Sequence, residues 1–392
     1  MIRLFLNALA ASAGAGLTYV RNVVPCLASR ADVHTTVALD RRLRREFGEF
    51  GNVSFVEWEP GAATRRFWQE QTMLPKMIRE TQADVLLSTG NFALRKSPVP
   101  QILLSGNSLY TSSDFSRDLW SRHEYGLWFD TRLRAIFAKR SIAWADVTVA
   151  PSQAFAKTLS EWTGNKVFAI YHGFDPEAFF RDRSPLPPEI QEKLKSTEGC
   201  FKLLFVSHYN YYRNFETLLR SLPRLRQRLG GRPIRLLLTC KFQPGTNPGS
   251  YRTETASRLV QELGIGQEVV ELGSVPYSQL AQVYRAADAY VTPAYAETFA
   301  HPLVEAMASG IPVIAADTAV HREVCGPAAL YFSTFSPESI AERVAALAAS
   351  EQAKREMTEA GRRRSQDFSW ARHVAQILEL ANSLKGKQRE KS

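Results

Sequence analysis

The sequence has few cysteines and no long apolar run, and each scarcity excludes a class of protein. The cysteines lie far apart and include no C-x-x-C pair, which is typical of buried thiols in a reducing compartment rather than of a disulfide scaffold or a zinc site. No apolar run reaches the ~18–20 residues that a membrane-spanning helix needs. The four cysteines among the 392 residues are Cys26, Cys200, Cys240 and Cys325.

A concentrated basic region is also missing. The 49 Lys and Arg against 39 Asp and Glu give a net charge of +10, divided between +4 over residues 1–180 (21 basic, 17 acidic) and +6 over 181–392 (28 basic, 22 acidic). The chain has no basic arm, RNP-type motif or aromatic-basic repeat. We therefore expect no nucleic-acid partner, and anionic small molecules or an anionic membrane surface become the favoured partners.

The N-terminus has only the outline of a signal peptide. Arg3 precedes an apolar run, but Asn7 interrupts it and a single arginine makes a weak positive region. A strand, a glycine loop and a helix fit the segment better. We expect a cytoplasmic protein, with any membrane contact peripheral and at the inner face of the plasma membrane.

Short β-rich apolar runs alternate with helical stretches and form two series. Strands without polar alternation, each followed by a helix, are typical of parallel sheets buried on both faces. The sequence thus predicts an α/β protein with two doubly wound, Rossmann-like domains, over 1–180 and 181–370, then a C-terminal helix and basic tail over 371–392. A proline-rich stretch between Asp175 and Gly199 is the expected linker. The runs are 2–6, 35–39, 53–58, 84–88, 101–105, 146–150 and 166–171, then 202–207, 234–239, 269–272, 289–293, 312–316 and 329–332.

In such a protein the ligand is expected in a central cleft faced by the carboxyl ends of both sheets. The most informative segment is 294–317, AYAETFAHPLVEAMASGIPVIAAD. Pro302 suits the first position of a helix, and Gly310 would end it. Small residues leading into a buried helix N-terminus predict a phosphate site. Glu297 before the loop and Glu305 in the first turn suit the hydroxyls of ribose and sugar.

These residues resemble a known family. The E-x7-E spacing followed by EAMASGIPV resembles the family 4 retaining glycosyltransferases, which have the GT-B fold. Three further passages, 149–179, 205–225 and 269–299, resemble the family in the same order along the chain. The resemblance implies two Rossmann-like domains facing a cleft, with the C-terminal helix crossing back to the first domain.

The resemblance also implies roles for the residues of the 294–317 segment. Glu305 would bind the ribose hydroxyls of a nucleotide sugar, and Glu297 would lie by the donor's sugar ring and diphosphate. The backbone amides of Phe299, Ala300 and His301 would hold sugar and phosphate. The family usually has Gly-Phe-Gly where this chain has Thr-Phe-Ala at 298–300, and lost glycines limit how closely a backbone can approach. His301 either donates to the sugar or has a packing or capping role.

Arg213 is the candidate that stabilises the leaving group. Breaking a glycosyl-phosphate bond places negative charge on the diphosphate, and with no metal motif in the sequence a cation must meet it. The family has Lys or Arg before Asn at the start of this helix, which Arg213 and Asn214 match. Either His208 supplies part of a second cation or the arginine acts alone. No metal or cofactor is expected.

Other site predictions are less well marked. Base recognition is expected from the backbone around Gly273–Pro276, including Val275, and the sequence does not choose among UDP, GDP and dTDP. Gly16 would lie in the glycine loop of the first domain near the donor nucleotide. The dinucleotide fingerprint is incomplete, since Tyr19 stands where its third glycine would be. The family often has a histidine near the reacting sugar, where this chain has Asn107 as the acceptor-side candidate.

Segment 115–144 mixes aromatic and basic residues. It fits either a peripheral membrane contact or a helix pair that packs its aromatics in the core and exposes its arginines.

The favoured function is transfer of a hexosyl unit of mannose or glucose type, with retention, from a nucleoside diphosphate sugar to a saccharide or lipid-linked acceptor in cell-envelope polysaccharide or lipopolysaccharide synthesis. A two-carboxylate mechanism through Glu297 is the mechanistic rival. The functional rivals are a nucleotide-sugar epimerase or phosphorylase, and a non-catalytic sugar-nucleotide or membrane-binding module.

Overall fold

The structure is a computed structural model, and it describes residues 1–11, 14–59, 61, 63–247, 249 and 251–389. Thirteen β-strands lie within this part of the chain. They are β1 (Ile2–Asn7), β2 (Val33–Asp40), β3 (Val53–Trp58), β4 (Val85–Ser88), β5 (Gln101–Leu104), β6 (Val147–Ala150), β7 (Val167–Ala169), β8 (Phe201–Phe205), β9 (Ile234–Leu238), β10 (Val269–Glu271), β11 (Ala289–Thr292), β12 (Val313–Ala316) and β13 (Ala329–Phe332).

Sixteen α-helices lie between and after these strands, again counting only the described ranges. They are α1 (Gly14–Ala28), α2 (Arg41–Arg44), α3 (Ala63–Glu80), α4 (Ser113–Ser121), α5 (Tyr125–Trp144), α6 (Gln153–Thr163), α7 (Pro176–Arg181), α8 (Pro188–Lys195), α9 (Phe215–Arg228), α10 (Glu254–Glu262), α11 (Leu280–Arg285), α12 (His301–Ser309), α13 (Ala319–Cys325), α14 (Pro337–Ala348), α15 (Glu351–Ser365) and α16 (Trp370–Arg389).

The strands form two wholly parallel sheets, as the sequence predicted. The first has the order β3-β2-β1-β4-β5-β6-β7 and the second β10-β9-β8-β11-β12-β13. Every residue of β4, β5, β11 and β12 is buried. Their sequences lack the alternation of polar and apolar residues because helices cover both faces of each sheet. The α/β prediction of two doubly wound domains is confirmed.

The chain divides into two compact units. The first contains Met1–Ser112, Glu124–Gly173 and the chain from Ser369 onward, and the second contains Ser113–His123 and Phe174–Phe368. The predicted linker belongs to the second unit, where it forms α7 and α8 and buries Phe179 completely. Ser113–His123 also belongs to the second unit, although the predicted boundary placed it in the first.

The C-terminal helix α16 packs on the first unit, which confirms the predicted return. Trp370 and Val374 join the core that α1 and β1 form, and the Tyr19 hydroxyl lies 2.9 Å from His373 Nε2. The start of α16 also lies so close to the backbone of residue 173 that only glycine fits there, because a Cβ would lie 2.1 Å from the Trp370 nitrogen. Lys385, within the predicted helix and basic tail over 371–392, lies in α16 and forms an ion pair with Asp84 at 2.7 Å.

Candidate active site

The loop from β11 to α12 and the start of α12 form the first part of the site, in the second unit. Helix α12 begins at His301, one residue earlier than predicted, so Pro302 is its second residue and Glu305 lies in the second turn rather than the first. Gly310 ends the helix in a left-handed conformation with φ 75°, as predicted. The residue before the helix, Ala300, is also left-handed, with φ 63° and ψ 65°.

This conformation strains Ala300, because an L-residue in the left-handed region loses about 1–2 kcal/mol relative to its usual conformation. Ala300→Gly is expected to raise the free energy of unfolding by about 0.5–1 kcal/mol, since the added chain entropy of glycine offsets part of the relief. Urea denaturation measures the change. The matched control is Ala308→Gly within α12, which should lower stability by about 1 kcal/mol. Equal losses in both variants would contradict the strain.

The second part of the site is the loop from β8 to α9, where Arg213 ends a 3-10 turn. Arg213 pairs with Glu297, the side chains being 18% and 10% exposed. Two bonds hold their loops together: the Asn214 amide donates to the Pro293 carbonyl at 3.2 Å, and the Tyr295 N–H donates to the Tyr212 carbonyl at 3.1 Å. The structure therefore brings together two residues that the sequence assigned to one site.

Asn214 explains why Arg213 points into this site. It adopts the left-handed conformation, with φ 56°, which asparagine tolerates better than most residues. Its amide also donates to the Thr334 carbonyl at 3.0 Å, so three loops meet at one buried side chain. The Nε of Arg213 is buried and has no hydrogen-bond partner among the described residues. A buried N–H donor of this kind can bind an anionic oxygen.

Glu305 lies deeper on α12 and is only 4% exposed. Burial raises the pKa of its carboxyl to about 7, although hydrogen bonds from Tyr284 and Tyr277 counteract the rise. The Tyr284 hydroxyl donates to Glu305 Oε2 at 2.9 Å. The carboxyl is thus held in place near its ionisation point, and it can accept further bonds from hydroxyl groups.

Phe299 and His301 contribute mainly apolar packing through their side chains. The Phe299 ring is 1% exposed and lies edge-on to the Phe368 ring, with centroids 5.1 Å apart, and to the His301 ring at 5.0 Å. Burial lowers the pKa of His301 to about 4. The imidazole is neutral at pH 7 and can exchange hydrogen bonds with a sugar, but it cannot supply a cation.

His208 lies in the β8–α9 loop, with part of the residue exposed and its ring partly covered by the protein. Burial of the ring, and then the charge of Arg213, lower the pKa of His208 below its usual value. It is therefore neutral at pH 7 in this structure. Whether Arg213 acts alone or with His208 stays a prediction.

The predicted base-recognition loop follows β10. Gly273 has φ 80°, a left-handed conformation, and a Cβ there would lie 3.0 Å from Cε of Lys241. Val275 is half-buried, and two residues later the Tyr277 hydroxyl bonds Glu305. The loop carrying Val275 and the carboxyl of Glu305 are thus joined through Tyr277, a link that no spacing in the sequence indicated.

Gly16 and Asn107 lie in the first unit. Gly16 is in the first turn of α1 rather than in a loop before it, and residues 12 and 13 fall outside the described ranges. Asn107 follows β5 and caps a 3-10 turn over Ser108–Tyr110, accepting a bond from the Leu109 N–H at 3.0 Å. This capping bond explains why asparagine suits position 107. A role for Asn107 on the acceptor side stays a prediction.

The sequence did not indicate a cavity of ≈160 Å³ in the first unit, where Asp40 ends β2 and Trp58 ends β3. Arg42, Glu59 and Arg66 also line it. An indole with charged donors and acceptors around it suits a hydroxyl-rich ligand. The signal was available in part, because charged residues directly follow both strands in the sequence.

Two absences within the described ranges also bear on the site. No group of three or more His, Cys, Asp or Glu side chains there has an arrangement that could hold a metal ion. None of the helices described combines the length and apolar character needed to cross a bilayer.

The two parallel-sheet units and the acid and arginine loops of the second define a GT-B protein of the glycosyltransferase type. The model for Glycosyltransferase Family 4 matches residues 17–178, and that for Glycosyl transferases group 1 matches residues 188–364. The chain belongs to the family 4 glycosyltransferases.

Individual relatives agree with this placement. D-inositol 3-phosphate glycosyltransferase of Nocardia farcinica is 30% identical over 254 residues, 63% of this chain and 54% of the relative. The chain thus spans about half the length of this curated relative. Sucrose-phosphate synthase of Thermosynechococcus elongatus has a TM-score of 0.77 at 18% identity, over 99% of this chain and 100% of that one. HepE of Anabaena, solved with UDP-glucose, has a TM-score of 0.71 at 16% identity, over 98% and 100%.

Proposed function

We propose that the protein is a glycosyltransferase that moves a hexosyl unit, of glucose or mannose type, from a nucleoside diphosphate sugar to a hydroxyl of a saccharide or lipid-linked acceptor. The observation that carries this proposal is the ion pair between Arg213, in the β8–α9 loop, and Glu297, in the β11–α12 loop. Glu305 lies on α12, the helix that follows Glu297. A cation and an uncapped helix start suit a diphosphate. Two carboxylates suit the hydroxyls of a ribose and a sugar.

The proposed reaction retains the anomeric configuration. The acceptor oxygen bonds to the anomeric carbon on the face from which the diphosphate departs, and the carbon–oxygen bond to the β-phosphate breaks. The acceptor proton passes to the departing phosphate oxygen. Arg213 neutralises the charge that develops on that group, so the proposal requires no metal or cofactor.

The relatives support the substrate classes. UDP-glucose bound to HepE supports a nucleotide-sugar donor, and inositol phosphate in the name of the Nocardia relative supports a hydroxyl-rich acceptor. The cavity between Asp40 and Trp58 is the proposed acceptor position, and cell-envelope polysaccharide synthesis is the proposed setting.

The proposed location is the cytoplasm, with peripheral contact at the inner face of the plasma membrane. On α5, Tyr125, Phe129, Leu133 and Ile136 are between 45% and 64% exposed and lie along one face, and Arg140 follows them. Exposed apolar side chains beside basic ones favour the membrane contact over core packing. Co-sedimentation with phosphatidylglycerol vesicles tests it, and binding unchanged by Phe129→Ser with Ile136→Ser would contradict it.

The decisive experiment is a thermal-shift screen with UDP-, GDP- and dTDP-linked glucose and mannose, run in EDTA. A donor at 100 times its dissociation constant should stabilise the protein by about 2.7 kcal/mol. Incubation of that donor with acceptors then separates transfer from epimerisation of the donor alone. If no nucleotide sugar stabilises the protein, the proposed function is wrong; binding without turnover would favour a non-catalytic module.

A further inference from the structure

The segment Ser113–His123 carries charged residues that meet the two loops of the candidate site. It lies in the second unit although the chain on both sides of it belongs to the first. Within α4 and just after it, Asp118 and Arg122 are about one-fifth exposed and bond to each other, Arg122 Nε donating to Asp118 Oδ1 at 2.6 Å.

Arg122 reaches the loop that carries Arg213. Its Nη1 donates to Oε1 of Glu216, a residue in the first turn of α9, at 3.1 Å. Its guanidinium lies 4.4 Å from the centre of the Tyr211 ring. Glu216 also accepts a bond from the Tyr209 hydroxyl at 2.7 Å. Arg122 therefore contacts the chain on both sides of Arg213, two residues before it and three after.

Asp118 reaches the loop that carries Glu297. Its Oδ2 accepts a bond from the Tyr295 hydroxyl at 2.9 Å, two residues before Glu297. The Tyr295 N–H in turn donates to the Tyr212 carbonyl, next to Arg213. Since Asp118 and Arg122 are bonded to each other, one helical turn connects both loops of the Arg213–Glu297 pair.

The network has one cation, Arg122, between two carboxylates. Burial alone would lower the pKa of Arg122, but Glu216 and Asp118 outweigh that effect and raise it, so the guanidinium stays charged. Two carboxylates and one guanidinium leave a net charge of −1 beside the loop of Arg213. Removing the arginine would leave two partly buried carboxylates without their cation, which is strongly unfavourable.

We propose that Asp118 and Arg122 are positioning residues that hold the two site loops in the arrangement in which Arg213 and Glu297 meet. The consequence for donor binding rests on the proposed function. Neither residue touches the site itself, so each acts through Glu216, Tyr211 or Tyr295. Misplacement of a catalytic group by about 1 Å lowers rates by up to 100-fold, which sets the scale of the expected effect.

The test uses the full chain with Arg122→Ala, Arg122→Lys and Tyr295→Phe. The matched control is Arg117→Ala, on the same helix, where a 77% exposed arginine pairs only locally with Asp114. Hydrogen–deuterium exchange over 205–216 and 293–300 should rise in Arg122→Ala and stay unchanged in the control. Because exchange needs no ligand, it decides the proposal even if the wild type binds no nucleotide.

Activity then supplies a second readout. Arg122→Ala should lower kcat about 30-fold at a temperature well below its melting point, with the donor KM changed less than threefold, and Arg122→Lys should recover part of the loss. Tyr295→Phe, which keeps the fold, should lower kcat about threefold. Exchange in both loops equal to that of the wild type, with kcat reduced no more than in Arg117→Ala, would overturn the proposal. A wild type that binds none of the UDP-, GDP- and dTDP-linked sugars would instead refute the proposed function.

Discussion

Arg213→Ala is expected to lower kcat/KM for the nucleotide sugar by about 10²–10³-fold. The loss of one preorganised donor at a developing negative charge has an effect of about this size in enzymes generally. The Arg213 guanidinium is partly buried and its Nε has no partner among the described residues, so its interaction with a diphosphate would be little screened by water. Steady-state kinetics at a fixed acceptor concentration measures the loss.

Two variants control this result. Arg213→Lys keeps a positive charge but not the planar fork, so we expect it to recover about tenfold of the loss. Arg220→Ala removes an exposed arginine from α9, and its kcat/KM should stay within twofold of the wild type. If Arg213→Ala kept more than a third of the activity, another group would have to stabilise the leaving diphosphate.

Glu297 allows the same assay to separate the two mechanisms. In the structure its carboxylate pairs with Arg213, a contact that suits a residue which orients the guanidinium. A nucleophilic role would require the carboxylate to lie beneath the anomeric carbon. In Glu297→Gln we expect reduced but measurable activity, and in the wild type we expect no glycosyl-enzyme by intact mass. A trapped adduct in the wild type would establish the two-carboxylate mechanism instead.

The sheets were predictable from the sequence because each parallel strand is buried on both faces. Runs such as 101–105 and 312–316 are short, have apolar centres and lack polar alternation, and β5 and β12 form there with every residue buried. The start of α12 was predictable within one residue because proline and glycine act locally on the backbone. The local sequence therefore predicts each helix or strand and the residues that begin and end it.

Contacts between distant segments could not be predicted in the same way. Tyr277 and Tyr284, which bond Glu305, have spacings to it that match no short motif. The segment Ser113–His123 was assigned to the wrong unit because apolar and charged patterning gives no indication of which neighbour a helix will contact. The candidate site was thus predicted as a set of residues, while the side chains that hold those residues in place required the structure.

Glu305→Gln is expected to weaken binding of the nucleoside diphosphate about 100-fold while making the unliganded protein more stable. An ionised carboxylate can accept bonds from both ribose hydroxyls, whereas the amide offers one accepting oxygen and places an NH₂ group against the other. Calorimetric titration with UDP or GDP, whichever stabilises the wild type, measures the binding.

The stability gain follows from the raised pKa of Glu305. Burial moves the pKa from 4.5 to about 7, so between these values the folded protein holds a proton that the unfolded chain has released. The contribution of Glu305 to stability is therefore complete below about pH 4.5 and falls as the pH rises through 7, by about 3 kcal/mol in all. Glutamine does not ionise, so Glu305→Gln should be about 1–3 kcal/mol more stable than the wild type at pH 8 and equal to it only near pH 4.

Glu70 provides the matched control for that experiment. It is 6% exposed in the first unit, and burial raises its pKa to about 7 as well. Glu70→Gln should show the same pH-dependent gain in urea denaturation, yet bind the nucleotide as the wild type does. The affinity difference between Glu305→Gln and the wild type should also be larger at pH 8 than at pH 6, because only the ionised carboxylate accepts two hydroxyls. Stabilisation in both variants with loss of binding in neither would show that the buried carboxyl of Glu305 does not meet the ribose.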